Sequence, residues 1–190
     1  RLRQAAGTDQ AEALAQLSSL LHLPFVGNLQ SVPAEVTDFG TSNFAATVDI
    51  GVGRSDGVLV GMPVVASGGL VGQVAEAGHH SAVVRLVTDG QSVVGTRYGA
   101  PPGALAVLVG QGWGKPLSAG LIPTLTPLSV GDVFATSGLQ GAVYPAGIPV
   151  AQVTAVRNGA TSNEESVTLS PMVDLSHLRY VSVLLWGPGS

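Results

Sequence analysis

Three kinds of side chain in this 190-residue sequence could together form a hydrolytic site. The histidines His79 and His80, the carboxylate of Asp89 and the hydroxyl of Ser137 occur in the chain order His, Asp, Ser. This is the order of a chymotrypsin-like triad, in which histidine takes the serine proton and aspartate orients the histidine. Order along the chain does not establish such a site, because a triad is defined by the geometry of its members.

The sequence around the candidate serines gives a triad little support. Ser67 lies in Ala-Ser-Gly-Gly without the aspartate of the Gly-Asp-Ser-Gly-Gly pattern of such hydrolases, and Ser137 departs from that pattern further. Both serines precede a glycine where a strand is expected to meet a turn, a common structural use of Ser-Gly. We therefore expect no catalytic residue, with a chymotrypsin-like serine hydrolase on a double β-barrel as the alternative.

Metal, cofactor and nucleic-acid sites are also weakly supported. The neighbours His79 and His80 would point to opposite faces of a strand, and the sequence contains no cysteine. The glycine-rich residues 110–114 lack the following helix and the Lys-Ser or Lys-Thr pair of a phosphate loop. With a formal net charge of -4 and dispersed basic residues, nucleic acid is not an expected partner. We expect no metal and no cofactor.

Three aspartates lie beside glycine or in turn-like contexts, namely Asp56, Asp132 and Asp174. A carboxylate in such a position commonly accepts hydrogen bonds from nearby backbone N–H groups and so shapes a loop. We expect these carboxylates to act in turns and not in acid–base chemistry.

One segment near the start of the chain is typical of a helix. Residues 9–22 are rich in Ala, Leu, Gln and Glu and begin with acidic residues spaced as a capping box. Within it, Leu14, Leu17 and Leu21 follow the 3,4 spacing of a coiled-coil seam. Two interpretations stay open: the end of a self-associating coiled coil, or an amphipathic helix packed on its own domain.

After residue 40 the hydrophobic pattern changes to a period of two. Phe44, Ala46, Val48 and Ile50 alternate with Ala, Thr and Asp, as on a strand with one buried face. Short apolar runs then recur between Gly, Pro and Asp-Gly punctuation. The sequence therefore predicts an all-β fold of the barrel or sandwich class. An apolar content of 45% with only 11% charged residues excludes a disordered polyelectrolyte and a coiled-coil rod.

A weak internal repeat divides the chain. Residues 61–68 resemble residues 131–138, and each copy is followed by Val-x-Gln-Val. Two copies of one β-unit favour two small β-barrels of the six-stranded type over one large barrel. We expect an N-terminal helix and linker over residues 1–42, a first barrel over 43–102 and a second barrel over 103–190, an arrangement that also allows strand exchange between the barrels.

The second copy of the repeat carries an inserted segment, residues 140–148. Its Val143, Tyr144 and Ile148 form an uncharged apolar set on a loop stiffened by Pro and Gly. This favours a partner-binding role, because a stiff loop loses little entropy on binding and an exposed tyrosine is a common interface anchor. The alternative is that Tyr144 and Ile148 close one end of the second barrel, since large exposed apolar patches are uncommon.

Short motifs along the chain resemble one bacterial family. In order, they are residues 43–48, 55–58, 61–65, 69–72, 87–89, 131–132, 136–138, 144–145, 147–150 and 173–176. Their combination resembles the extracytoplasmic region of the MreC family of rod shape-determining proteins, over residues 29–185.

The resemblance implies a non-enzymatic scaffold of the cell-wall elongation machinery, which maintains cell shape. Members of the family carry one membrane helix, a coiled-coil segment and two β-barrels outside the cytoplasm. We therefore expect an extracytoplasmic location, either periplasmic or on the outer face of the cytoplasmic membrane, and a single transmembrane helix upstream of Arg1. The implied partners are a second copy of the chain in a homodimer or filament, a class B penicillin-binding transpeptidase, and MreD with other elongation-complex proteins.

Overall fold

Two six-stranded antiparallel sheets make up the structure, a computed structural model that describes residues 23–40, 45–120, 127–139, 143–158 and 165–187. The strands are β1 (Ser31–Gly40), β2 (Thr47–Ile50), β3 (Pro63–Ala66), β4 (Gly69–Ala77), β5 (Ala82–Leu86), β6 (Val93–Tyr98), β7 (Ala104–Val109), β8 (Ser118–Gly120), β9 (Val133–Thr136), β10 (Pro149–Asn158), β11 (Glu165–Pro171) and β12 (Tyr180–Leu184). Short 3-10 helices span Arg54–Asp56 and Leu175–His177. The all-β prediction is confirmed, while the helix expected over residues 9–22 lies outside the described residues.

The first sheet is a closed barrel with the strand order β1-β12-β3-β4-β5-β2. The second has the order β11-β10-β9-β6-β7-β8. Its two ends approach one another, because the N–H of Leu117 donates to the carbonyl of Leu169 at 2.8 Å. Both sheets therefore enclose a core, as the repeat predicted.

Strand membership differs from the expected ranges 43–102 and 103–190. Residues placed in the linker form β1 of the first barrel, β6 belongs to the second sheet, and β12 returns from the end of the chain to the first barrel. The chain thus passes between the sheets twice. We call residues 87–92, between β5 and β6, the first crossing, and residues 172–179, between β11 and β12, the second crossing.

Side-chain alternation explains which strand faces are buried. Ala46, Val48 and Ile50 are buried as predicted, whereas Phe44 lies outside the described residues. On β5 the alternation continues, with Ala82, Val84 and Leu86 buried and the residues between them half-exposed. β3 is buried along its whole length, so both of its faces are covered. In the described part of the chain, no helix is long and apolar enough to span a membrane.

The two barrels touch backbone to backbone near the start of β4. A Cβ placed on Gly69 would overlap the carbonyl oxygen of Pro149, the first residue of β10. Beside this contact, the N–H of Met172 donates to the carbonyl of Val150 at 3.0 Å. Only glycine fits this position, because every other residue adds a Cβ.

Replacing Gly69 by Ala should lower the free energy of unfolding by about 1–3 kcal/mol, since backbone overlap cannot be relieved by a change of rotamer. Gly90→Ala is the matched control, because no atom lies within 4 Å of a Cβ built there. We expect the control to stay within about 0.5 kcal/mol of the parent in urea denaturation. Equal stability of the two variants would contradict the tight contact between the barrels.

Candidate functional site

The histidines and aspartate of the candidate triad lie at opposite ends of one strand. His79 and His80 are exposed in the turn before β5, and Asp89 follows the other end of that strand. The five residues of β5 alone span about 13 Å. The buried carboxylate of Asp89 instead accepts hydrogen bonds from the N–H groups of Ala46 at 2.8 Å and Gln91 at 2.9 Å. Asp89 therefore holds the start of β2 against the first crossing.

The other members of the candidate triad have separate neighbours. His80 Nδ1 lies 3.1 Å from the hydroxyl of Ser55, and its Nε2 lies 2.9 Å from His79 Nδ1. The N–H of Ser137 donates to the carbonyl of Gly95 at 3.0 Å, on β6 of the second sheet. The structure does not bring the histidines, Asp89 and Ser137 together, so these residues do not form the triad of a chymotrypsin-like hydrolase.

A different Ser, His and Asp do meet, on the second crossing. His177 Nδ1 lies 2.8 Å from Asp174 Oδ2 and 3.1 Å from Ser176 Oγ. A catalytic triad uses the two different nitrogens of the imidazole, one toward serine and one toward aspartate, whereas here a single nitrogen faces both. Asp174 also accepts from the N–H of Ser176 at 3.0 Å, as the N-cap of the 3-10 helix Leu175–His177. The cluster therefore forms a cap.

The expected role of turn aspartates is confirmed at all three positions. Asp56 accepts from the N–H of Gly53 at 3.0 Å, and Asp132 accepts from the N–H of Ser129 at 2.8 Å. The Gly53 donor lowers the pKa of Asp56. Hydrogen bonds from the Ser176 and His177 side chains lower the pKa of Asp174 to about 2, because they stabilise its ionised form. Among the described residues, no group of His, Asp and Glu is placed to hold a metal ion.

The inserted segment contributes two side chains to the hydrophobic core. Tyr144 and Ile148 are buried, and the Thr136 hydroxyl accepts from the N–H of Ile148 at 2.9 Å. Val143 remains 39% exposed. Buried side chains offer no surface to a partner, so in this structure Val143 alone of the three is accessible.

The second sheet has an exposed apolar face that was not among the sites predicted from the sequence. β6 and β7 pair with Arg97 opposite Leu105, and Leu105 is 43% and Leu139 46% exposed. Together with Gly95 and Ser137 these side chains line a groove of about 640 Å³, which we call the outer groove. A signal for this face was present in β7, where apolar residues occupy both alternating sets of positions and not one.

A pair of six-stranded β-barrels joined by two crossings defines the class of double-barrel proteins. The family model described as rod shape-determining protein MreC, barrel core, matches residues 36–185. The chain therefore belongs to the MreC family of rod shape-determining proteins, which confirms the resemblance seen in the sequence.

Individual relatives agree with this assignment. The cell shape-determining protein MreC of Escherichia coli is 31% identical over 173 residues, which are 91% of this chain and 46% of that protein. The crystal structure of MreC from Pseudomonas aeruginosa is 30% identical with a TM-score of 0.75, covering 82% of this chain and 99% of that one. A chain of the complex between penicillin-binding protein PBP2 and MreC from Helicobacter pylori shares the fold, with a TM-score of 0.56 at 17% identity over 83% of this chain and 99% of that one. The chain spans about half the length of the curated relatives it matches.

Stability should fall at high pH because Tyr144 is buried. Burial raises the pKa of its phenol from 10.0 to about 12. The folded state holds this proton more tightly, so the stabilisation is fully present below the unfolded pKa of about 10 and is lost as the pH rises to about 12, by about 2–3 kcal/mol. Urea denaturation from about pH 9 to pH 12 should show this loss in the parent and a smaller one in Tyr144→Phe. An equal loss of stability in the parent and in Tyr144→Phe would contradict this prediction.

The second crossing allows a separate test of the Asp174 cap. Ser176→Ala removes the largest cause of the low pKa, so the pKa of Asp174 should rise from about 2 toward its ordinary value of 3.8. Carboxyl ¹³C chemical shifts followed through an acid titration measure this directly. Ser118→Ala, in a strand of the second sheet, should leave the pKa of Asp174 unchanged, and an unchanged value in Ser176→Ala would contradict the proposed cap geometry.

Proposed function

We propose that this chain is the extracytoplasmic part of a membrane-anchored, non-enzymatic scaffold of the bacterial cell-wall elongation machinery. In this role it maintains cell shape by binding peptidoglycan synthases. Membership of the MreC family supports the proposal, and so does the identity of its relatives, which are cell shape-determining proteins. The separation of His79, Asp89 and Ser137 supports a role without hydrolysis.

The proposed partner is a class B penicillin-binding transpeptidase. Support comes from the structure of the Helicobacter pylori complex of PBP2 and MreC, a chain of which has the same fold as this one. The structural feature of this chain that supports a binding role is the outer groove. Exposed large apolar side chains grouped at one place are uncommon on soluble domains, and where they occur they commonly mark interaction sites.

The shape of the outer groove fits the docking of an apolar side chain. Two of the residues that line it are small, Gly95 and Ser137. They lie close together, because a Cβ built on Gly95 would be 3.3 Å from the hydroxyl of Ser137. Leu105 and Leu139 are among the residues that line it, and Arg97 supplies a cation. An apolar recess with few polar groups is the usual setting of an interface anchor, and arginine is enriched at such sites.

Three further elements of the proposal lie outside what the structure describes. Self-association into a homodimer or filament would use the seam of Leu14, Leu17 and Leu21. Anchoring would use a transmembrane helix upstream of Arg1, and MreD would be a further partner in the elongation complex. The family resemblance supports these three elements. Val143 is proposed as an additional partner contact, because it is a large exposed apolar residue in the described part of the inserted segment.

Leu105→Asp tests the outer groove. It should weaken binding of the host's purified class B transpeptidase by at least about tenfold, because a charge in the groove must lose its water when an apolar anchor docks. Because the Leu105 side chain is exposed, the melting temperature should change little. Binding can be measured by biolayer interferometry with the chain immobilised.

Val60→Asp provides a matched control for this experiment. Val60 is an exposed apolar residue of the first barrel and does not line the outer groove. Its variant should bind like the parent. Parent-like binding by Leu105→Asp would exclude the outer groove as the docking surface, whereas absence of binding by the parent chain would exclude the transpeptidase as its partner.

A further inference from the structure

A second concavity lies where the two barrels meet, and we call it the junction cleft. Its walls include Trp113 and Lys115 from the loop between β7 and β8, Thr168 and Ser170 from β11, and Asp174 and Ser176 from the second crossing. The cleft has a volume of about 460 Å³. Small-molecule sites commonly occupy clefts of this size between domains. It shares no lining residue with the outer groove.

Trp113 supplies an aromatic surface at this cleft. Its ring meets that of Phe39, at the end of β1, in an edge contact with centroids 6.0 Å apart and planes inclined by 82°. This contact restrains the indole from one side while 46% of the residue stays exposed. An oriented aromatic ring with an accessible surface can bind the polarised C–H groups of a ligand, because its faces carry partial negative charge.

Polar groups surround the aromatic surface. Thr168 and Ser170 are two residues apart on β11, which places both on the same face of that strand. Hydroxyl groups both donate and accept hydrogen bonds, so they suit a ligand that carries hydroxyls of its own. On the second crossing, Asp174 is fixed by its contacts with Ser176 and His177. The cleft therefore combines one apolar surface with several groups that can orient a polar ligand.

The charged residues of the junction cleft indicate which class of ligand it can bind. The lining residues carry one cation, Lys115, and one carboxylate, Asp174, which is ionised at neutral pH. A polyanion would need more positive charge, since phosphate sites combine several cationic or N–H donors. An uncharged ligand with an apolar ring face and many hydroxyls fits the walls best, and a sugar ring has this chemistry.

We propose that the junction cleft binds a sugar ring of an uncharged oligosaccharide, with one face of the sugar on Trp113 and its hydroxyls toward Thr168, Ser170 and Asp174. The site also borders the first barrel, because Trp113, from the loop between β7 and β8, contacts Phe39 at the end of β1. This inference goes beyond the scaffold role, and it stands or falls independently of transpeptidase binding at the outer groove.

The test uses the 190-residue chain and a tetramer of N-acetylglucosamine as the probe. Amide NMR shifts should move in a saturable way at residues of the junction cleft. Trp113→Ala should weaken binding by about tenfold or more, because it removes the aromatic surface. Ser170→Ala should weaken it less, by about two- to fivefold, through loss of one hydrogen bond without disturbing Phe39. Both variants should still bind the transpeptidase like the parent.

Two controls decide between outcomes. Val130→Ala removes an exposed apolar side chain that does not line the cleft, so it should bind the sugar like the parent. An N-acetylated, amidated alanine tripeptide tests whether the cleft prefers peptides. No saturable shift with the sugar, shifts outside the cleft, unchanged sugar binding in both Trp113→Ala and Ser170→Ala, or preference for the peptide would each overturn the proposal.

Discussion

The pairing of β12 with both β1 and β3 is the constraint on which the rest of the structure depends. Val183 of β12 lies opposite Val32 on one side and Val64 on the other, so the last strand of the chain completes the first barrel. The chain must therefore pass through the second sheet and return. The second crossing and the junction cleft both follow from this return. The first barrel is therefore not a continuous segment of the sequence, whereas the second sheet, β6 to β11, is continuous and is inserted into it.

Polar side chains that resemble catalytic groups in the sequence stabilise the crossings. Asp89, on the first crossing, is buried and bound to the N–H of Ala46, which ties β2 to the segment leaving β5. Asp174 caps a short helix on the second crossing. A buried carboxylate with backbone donors stabilises one conformation of the chain, because leaving either partner unpaired would be costly. In this chain, Asp89 and Asp174 thus stabilise the two segments in which the chain changes sheets.

Local sequence patterns were sufficient to predict the strands and turns. The alternation around Val48 and the placement of Asp56 and Asp132 beside turns are short-range properties, and the structure confirms them. Barrel membership could not be predicted in the same way, because the mostly apolar sequence of β12 indicates a buried strand but not the sheet to which it belongs. The outer groove was missed for a related reason: when both faces of β7 are apolar, the pattern does not indicate which face is covered. The burial of Tyr144 depends on the same long-range packing.

The antiparallel pairing of β1 with β12 also has a mechanical consequence. Ser31, where β1 begins, lies opposite Leu184, where β12 ends, so the chain enters and leaves the first barrel at neighbouring positions. Tension applied between these ends would load the β1–β12 ladder one hydrogen bond at a time, as in opening a zipper, and would not shear the whole ladder at once. The second sheet lies outside this path of force. Under load the first barrel would open at this seam while the outer groove kept its shape.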